Sequence, residues 1–94
     1  MTPLSDAEID QRLAAVADWH RHDQTAIARE LKFADFAAAI AFVNRVAELA
    51  EQANHHPDIL VHGWNKVRLT LSTHSQGGLT EADFALAGQI DSLL

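Results

Sequence analysis

The spacing of apolar residues changes at Pro57, and that change sets most of what this chain can fold into. Before it, "DFAAAIAFVNRVAELAEQAN" is rich in Ala and free of Gly and Pro. Phe36, Ile40, Val43, Ala47 and Ala50 fall there on one face of a long helix. Pro57 stops the helix, because its ring removes a backbone donor and drives His56 out of the α region. After it, Val67, Leu69, Leu71 and Thr73 alternate with Lys66, Arg68, Thr70, Ser72 and His74, the period of a strand with two unlike faces. "DILVHGWNKVRLTLSTH" therefore reads as a β-hairpin with its turn at Gly63 to Asn65.

The first part of the chain repeats this order. Ser5 is placed as an N-cap, with Glu8 three residues on to complete a capping box and Leu4 and Ile9 as a hydrophobic staple. Ile9, Leu13 and Val16 then mark the buried stripe of a short helix. From Thr25 to Phe33 the period is two again, with Ile27, Leu31 and Phe33 on one side and Glu30 and Lys32 on the other. The preceding "WHRH" can pair with that strand through a "DQ" turn. Near the C-terminus, Thr80 caps a third helix, Asp83 lies in its first turn, Leu79 and Phe84 form a staple, and Leu86, Ile90 and Leu93 face inward. The predicted order is α-β-β-α-β-β-α: an α+β fold with three helices packed on one face of a four-stranded antiparallel sheet. At 94 residues the chain has apolar surface for one core, so residues 1–94 are read as a single domain.

Charge and composition narrow the function. A net charge of -6, with seven scattered Lys and Arg, works against a direct nucleic-acid partner, since phosphate binding rests on clustered cations. The absence of cysteine removes thiolate chemistry and Cys-based zinc sites, which leaves His, carboxylates, hydroxyls or a bound cofactor to carry any reaction. No stretch reaches the roughly 18 apolar residues of a membrane span, and the N-terminus lacks the pattern of a secretory signal. A cytoplasmic location is the resulting expectation.

Four of the six histidines lie between Asn54 and His74. His20 and His22 are read as solvated residues of an edge strand, and His62, near the hairpin turn, as at most a rim residue. His55, His56 and His74 differ, because the hairpin returns the chain from the turn toward the residues that follow Pro57. They are expected to converge at one edge of the sheet, with Glu51 one helical turn before His55 in position to orient an imidazole. One of the three could simply bond the end of a helix. A metal site is disfavoured, since adjacent histidines diverge and no HExxH spacing aims two rings at one ion. Acid–base chemistry without a metal is the better fit to the whole cluster.

"EQANHHPDI", "NKVRLTLSTH" and "GGLTEADFALAGQID" resemble, in order and spacing, the pterin-4a-carbinolamine dehydratases. Trp19 and "ELKFADFAAAIAFVNRVAELAE" also look like family positions, so the resemblance spans nearly the whole chain. It implies the activity of a 4a-hydroxytetrahydrobiopterin dehydratase: loss of water from a 4a-hydroxytetrahydropterin to give the quinonoid dihydropterin. That step recycles the pterin of aromatic amino-acid hydroxylases and needs no further cofactor. By the same resemblance His55 and His74 are the general acids, and His56 mainly binds and orients the ring. Asn54, Ser72, Thr73 and Ser75 line the pocket, and Glu51 and Asp83 support the imidazoles. Family members assemble as dimers or tetramers, so a homo-oligomer is implied. Animal relatives also act as dimerisation cofactors of a homeodomain transcription factor, so a non-catalytic protein-binding, assembly or regulatory module is the alternative that the resemblance implies. Ile59 and Leu60 depart from the aromatics that animal members often carry after the "HHP" motif, which alters the expected pocket rim.

Overall fold

A computed structural model describes residues 2–94. Its elements are α1 (Asp6–Leu13), β1 (His20–Asp23), β2 (Ala26–Lys32), α2 (Phe36–Ala53), β3 (Asp58–His62), β4 (Lys66–Leu71) and α3 (Glu81–Asp91), with a short 3-10 turn at His74–Gln76. The strands form one antiparallel sheet in the order β1-β2-β4-β3. The expected α+β order is thus the observed one, and both hairpins pair as anticipated.

Alternation decides which face of the sheet is covered. Ile27, Val67, Leu69 and Leu71 are buried against the helices, where Ile9, Val16, Trp19, Phe42, Val46, Leu86 and Ile90 complete the core. On the opposite face stand Glu30, Lys32, Lys66 and Arg68, exposed or half-buried. A one-residue slip in β4 would exchange these two sets, so burial of the odd-numbered residues also fixes the register.

Local chemistry sets the helix ends. The Ser5 and Glu8 capping box forms, with Ser5 N–H donating to Glu8 Oε1 at 3.0 Å and Glu8 N–H to Ser5 Oγ at 3.2 Å. Bonding to the Ser5 backbone and hydroxyl holds the Glu8 carboxyl below the ordinary glutamate range. Helix α2 stops earlier than Pro57 would require. Asn54 adopts a left-handed conformation (φ 50°), its N–H donates to Glu51 C=O at 3.2 Å, and His55 N–H donates to Ala50 C=O at 3.1 Å. This pair of bonds is a Schellman closure, which Asn tolerates better than other non-glycine residues.

Two further expectations need correction. The buried stripe of α2 is Ala39, Phe42, Val46 and Ala50. Phe36 is 55 % exposed and Ala47 is also exposed, so the helix is rotated from the face read off Phe36, Ile40, Val43 and Ala47. Both stripes are apolar at helical spacing, and packing against the sheet selects one. The first hairpin turns at Gln24 and Thr25 rather than at Asp23 and Gln24; Asp23 Oδ1 accepts from Thr25 N–H at 2.7 Å and Thr25 Oγ1 at 2.9 Å.

The C-terminal end of α3 is tied across the core by Asp91. Its Oδ1 accepts from Trp19 Nε1–H at 2.8 Å and from Arg29 Nη1 at 2.6 Å. Trp19 is only 3 % exposed, so its indole N–H has little access to water as a replacement partner. Asp91→Ala is expected to lower unfolding stability by about 1–3 kcal/mol, measured by urea denaturation, with the fluorescence of Trp19 perturbed in the folded state.

Candidate functional site

Three chain segments meet where β4 ends: the close of α2, the exit of β4 and the start of α3. The Schellman turn at Asn54 brings His55 to the start of α3. Beyond β4, an isolated bridge pairs Thr73 with Gly78, and Thr73 N–H donates to Gly78 C=O at 3.1 Å. Residues 74–77 bulge out as a small loop, which Gly77 closes in a left-handed conformation (φ 73°) open to glycine without cost. Thr80 then caps α3 and places Asp83 in its first turn.

Asp83 lies at the junction with no exposed surface. Its Oδ1 lies 2.6 Å from His55 Nε2, while Oδ2 accepts from Thr73 Oγ1–H at 2.7 Å and from Thr80 N–H at 2.9 Å. The Thr73 and Thr80 hydroxyls are 2.8 Å apart. Because Thr73 spends its one hydrogen on Asp83, Thr80 must be the donor between the two hydroxyls. Thr80 Oγ1 in turn accepts from Ala82 N–H at 3.3 Å. An ionised carboxylate only accepts, so His55 donates to Asp83 through Nε2 and keeps Nδ1 for another partner.

His55 forms part of the wall of a cleft of about 290 Å³, together with Ala53, Asn54, Thr73, Ser75, Gln76 and Ala82. That volume lies near the low end, roughly 300 Å³, of pockets that hold small molecules. Of the residues expected at the site, Asn54, His55, Thr73 and Ser75 line this wall. His56 instead extends to Glu51, with Nε2 2.5 Å from Glu51 Oε2, and both side chains are well exposed. Glu51 thus partners His56 rather than His55, whose carboxylate is Asp83. His74 lies in the exposed loop, its Nε2 3.2 Å from Ser72 Oγ. His56, Ser72 and His74 are outside the cleft wall itself.

Gln76, Ala82 and Thr80 were not singled out from the sequence as site residues. Gln76 sits in a stretch that reads only as a loop, and Thr80 reads only as a cap. The signal in the sequence is the Gly77–Gly78 pair, which marks a chain reversal there without saying which side chains it carries into the site. His62 is not a rim residue: it pairs with Lys66 at the opposite end of β3 from Pro57. Among the described residues, no three His, Asp or Glu side chains form a group that could hold a metal ion. No helix among them is long and apolar enough to cross a membrane.

Asp83→Asn is expected to reverse the histidine tautomer. The amide oxygen keeps the Thr73 and Thr80 donors, its NH₂ turns to His55, and the ring must then accept at Nε2 and carry its proton on Nδ1. Long-range ¹H–¹⁵N spectra of the His55 ring, recorded where the imidazole is neutral, read this directly; an unchanged Nε2–H form would refute the assigned bonding.

Known proteins share both the sequence and the fold. The family described as pterin 4 alpha carbinolamine dehydratase matches residues 2–93. A protein of Chloroflexus aggregans, provisionally named pterin-4-alpha-carbinolamine dehydratase, is 53% identical over all of this chain and 99% of its own. Its namesake from Acidobacterium capsulatum is 50% identical over the full length of both. The crystal structure of a transcriptional coactivator/pterin dehydratase from Brucella melitensis superposes with a TM-score of 0.92 at 35% identity, covering 98% of each chain. A pterin dehydratase-like protein, identified as a RuBisCO assembly factor in the alpha-carboxysome, gives a TM-score of 0.66 at 28% identity, over 81% of this chain and 88% of that one.

Proposed function

We propose that this chain, which belongs to the pterin 4 alpha carbinolamine dehydratase family, dehydrates a 4a-hydroxytetrahydropterin to the quinonoid dihydropterin and water. The observation that carries the proposal is His55, on the cleft wall with Nε2 held by the buried carboxylate of Asp83.

The reaction needs a proton delivered to the departing 4a-hydroxyl and a proton lost from N5 as the C–O bond breaks. A histidine that can gain and lose a proton near neutral pH suits both halves. With Nε2 bonded to Asp83, Nδ1 is the atom of His55 that exchanges a proton with substrate. The two threonine hydroxyls and the Thr80 N–H keep Asp83 from turning away, which restrains the ring. His74, in the loop after β4, is assigned as the second acid, and His56, steadied by Glu51, as the group that orients the pterin. Asn54, Ser72, Thr73 and Ser75 offer amide and hydroxyl partners for the polar edges of the heterocycle. Every named group belongs to this chain, and the proposal requires no cofactor besides the pterin substrate.

In this reading the enzyme serves pterin recycling behind an aromatic amino-acid hydroxylase. A second reading, a protein-binding or assembly module without catalysis, is favoured by the likeness to solved structures titled coactivator and RuBisCO assembly factor. Dehydration of 4a-hydroxytetrahydropterin, generated in situ by a hydroxylase, separates the two. The native chain should accelerate the step, and His55→Ala and His74→Ala should each lose about 10²-fold or more. His56→Ala should act mainly on KM. A folded native protein that leaves the spontaneous rate unchanged would sink the catalytic reading and favour the module.

We also assign a homo-oligomer. Phe36, at 55 % exposure, opens a side of α2 that also carries the exposed Ala47, and β3 leaves an unpaired edge carrying Leu60 at 48 % exposure. Large apolar side chains on an open edge and an open helix face are surfaces that self-association covers. Light scattering after size exclusion should give a dimer or tetramer, and Phe36→Asp should shift it to a smaller species; a monomer at micromolar concentration would contradict the assignment.

A further inference from the structure

The sheet face opposite the helices brings together cations that the sequence scatters. Lys32 of β2 lies directly across from Lys66 of β4, and Lys66 lies directly across from His62 of β3. Residues paired in this way point to the same face with Cβ atoms roughly 5 Å apart. The two lysines and the histidine therefore form one row across three strands. All three are exposed.

This arrangement is costly unless something answers it, because like charges directly opposite one another destabilise a strand pair. Four of the five arginines are paired, Arg45 on α2 being the exception. Arg12 binds Glu81, Arg21 binds Asp6, Arg29 binds Asp18 and Asp91, and Arg68 binds Glu30. Among the described residues Lys32 and Lys66 take part in no ion pair. Glu30, the nearest acid of the row, already receives Arg68 Nε at 2.9 Å and Nη2 at 2.8 Å on a single oxygen. A groove of about 210 Å³ opens at this place, lined by Glu30, Leu31, Lys32, His62 and Lys66. Although the chain carries -6 overall, Lys32, Lys66 and Arg68 place three positive charges here against the one carboxylate of Glu30, which the bond from Arg68 holds below its ordinary range.

We infer that the Lys32–Lys66–His62 row is a second ligand site, separate from the cleft, that takes the phosphoryl group of a small molecule. Lysine ammonium groups bind phosphate as point charges, and the third member of the row adds an N–H donor. The row stands at the start of β4 and the cleft beyond its end. Seven residues of extended chain, about 20 Å, separate Lys66 from Thr73. One pterin cannot span both. The hairpin turn beside the row carries Trp64, 62 % exposed and at a left-handed φ of 58° that a bulky residue rarely adopts. Trp64 lies two residues along the chain from both His62 and Lys66, so a nucleotide whose base meets this exposed ring and a free phosphate are the two sources of the same chemistry.

The full chain should be titrated with pyrophosphate and with AMP at constant ionic strength, followed by calorimetry and by ¹H–¹⁵N shifts. The expected result is saturable one-to-one binding, with shifts centred on Lys32, His62 and Lys66 and none at His55 or Thr73. Lys32→Gln and Lys66→Gln should each weaken binding about tenfold, the loss of one charge-assisted hydrogen bond. Both variants should also raise Tm without ligand, by relieving the repulsion between the paired lysines. Tighter binding of AMP than of pyrophosphate, abolished by Trp64→Ala, identifies the nucleotide as the source; equal or weaker binding of AMP identifies the free ion. Absence of saturable binding by either probe in the millimolar range, or binding that both lysine variants leave intact, overturns the inference.

Discussion

The buried carboxylate of Asp83 is the interaction on which the functional end of this molecule depends. One oxygen faces His55 at the close of α2, and the other accepts from Thr73 beyond β4 and from Thr80 at the start of α3. A carboxylate with no exposed surface is tolerated only when its lone pairs are met by donors, and here His55, Thr73 and Thr80 each supply one. The same residue completes the N-terminal cap of α3, so the helix that closes the core and the histidine that faces the cleft share one anchor. Disturbing Asp83 therefore touches fold and chemistry together.

The sheet divides the molecule into two faces with different tasks. The helix side is filled by Ile27, Val67, Leu69 and Leu71, and needs nothing beyond volume and shape. The other side is left without helices, and strand register alone sets which charges meet there. Arg68 opposite Glu30 makes a bidentate contact on one oxygen, while Lys32 opposite Lys66 makes none. The pairing that buries the core also produces the cationic row, because a strand cannot choose its two faces separately.

The fold was legible because its signals are local. Capping residues at Ser5 and Thr80, the alternation from Val67 to Leu71 and the turn at Gly63 each depend on neighbours within a few positions. Readings failed where two local answers were equally good. Helix α2 carries apolar residues on more than one face, and only the sheet decides that Phe42 and Val46 go in while Phe36 stays out. Pro57 forbids α2 from continuing, yet Asn54 closes it three residues earlier by taking up a left-handed conformation.

The same division holds at the site. The sequence by itself determined the element order, the family, and the residues available for acid–base chemistry, since periodicity, caps and motif spacing are properties of short stretches. Only the tertiary structure decided which carboxylate serves which imidazole, giving Asp83 to His55 and Glu51 to His56, and which of the candidates share a cleft wall. It also turned scattered lysines into neighbours. Hydrogen bonds act over about 3 Å and are blind to separation along the chain. His55 and Asp83 are 28 positions apart in the chain, and it took the packing of α3 against α2 to bring them together.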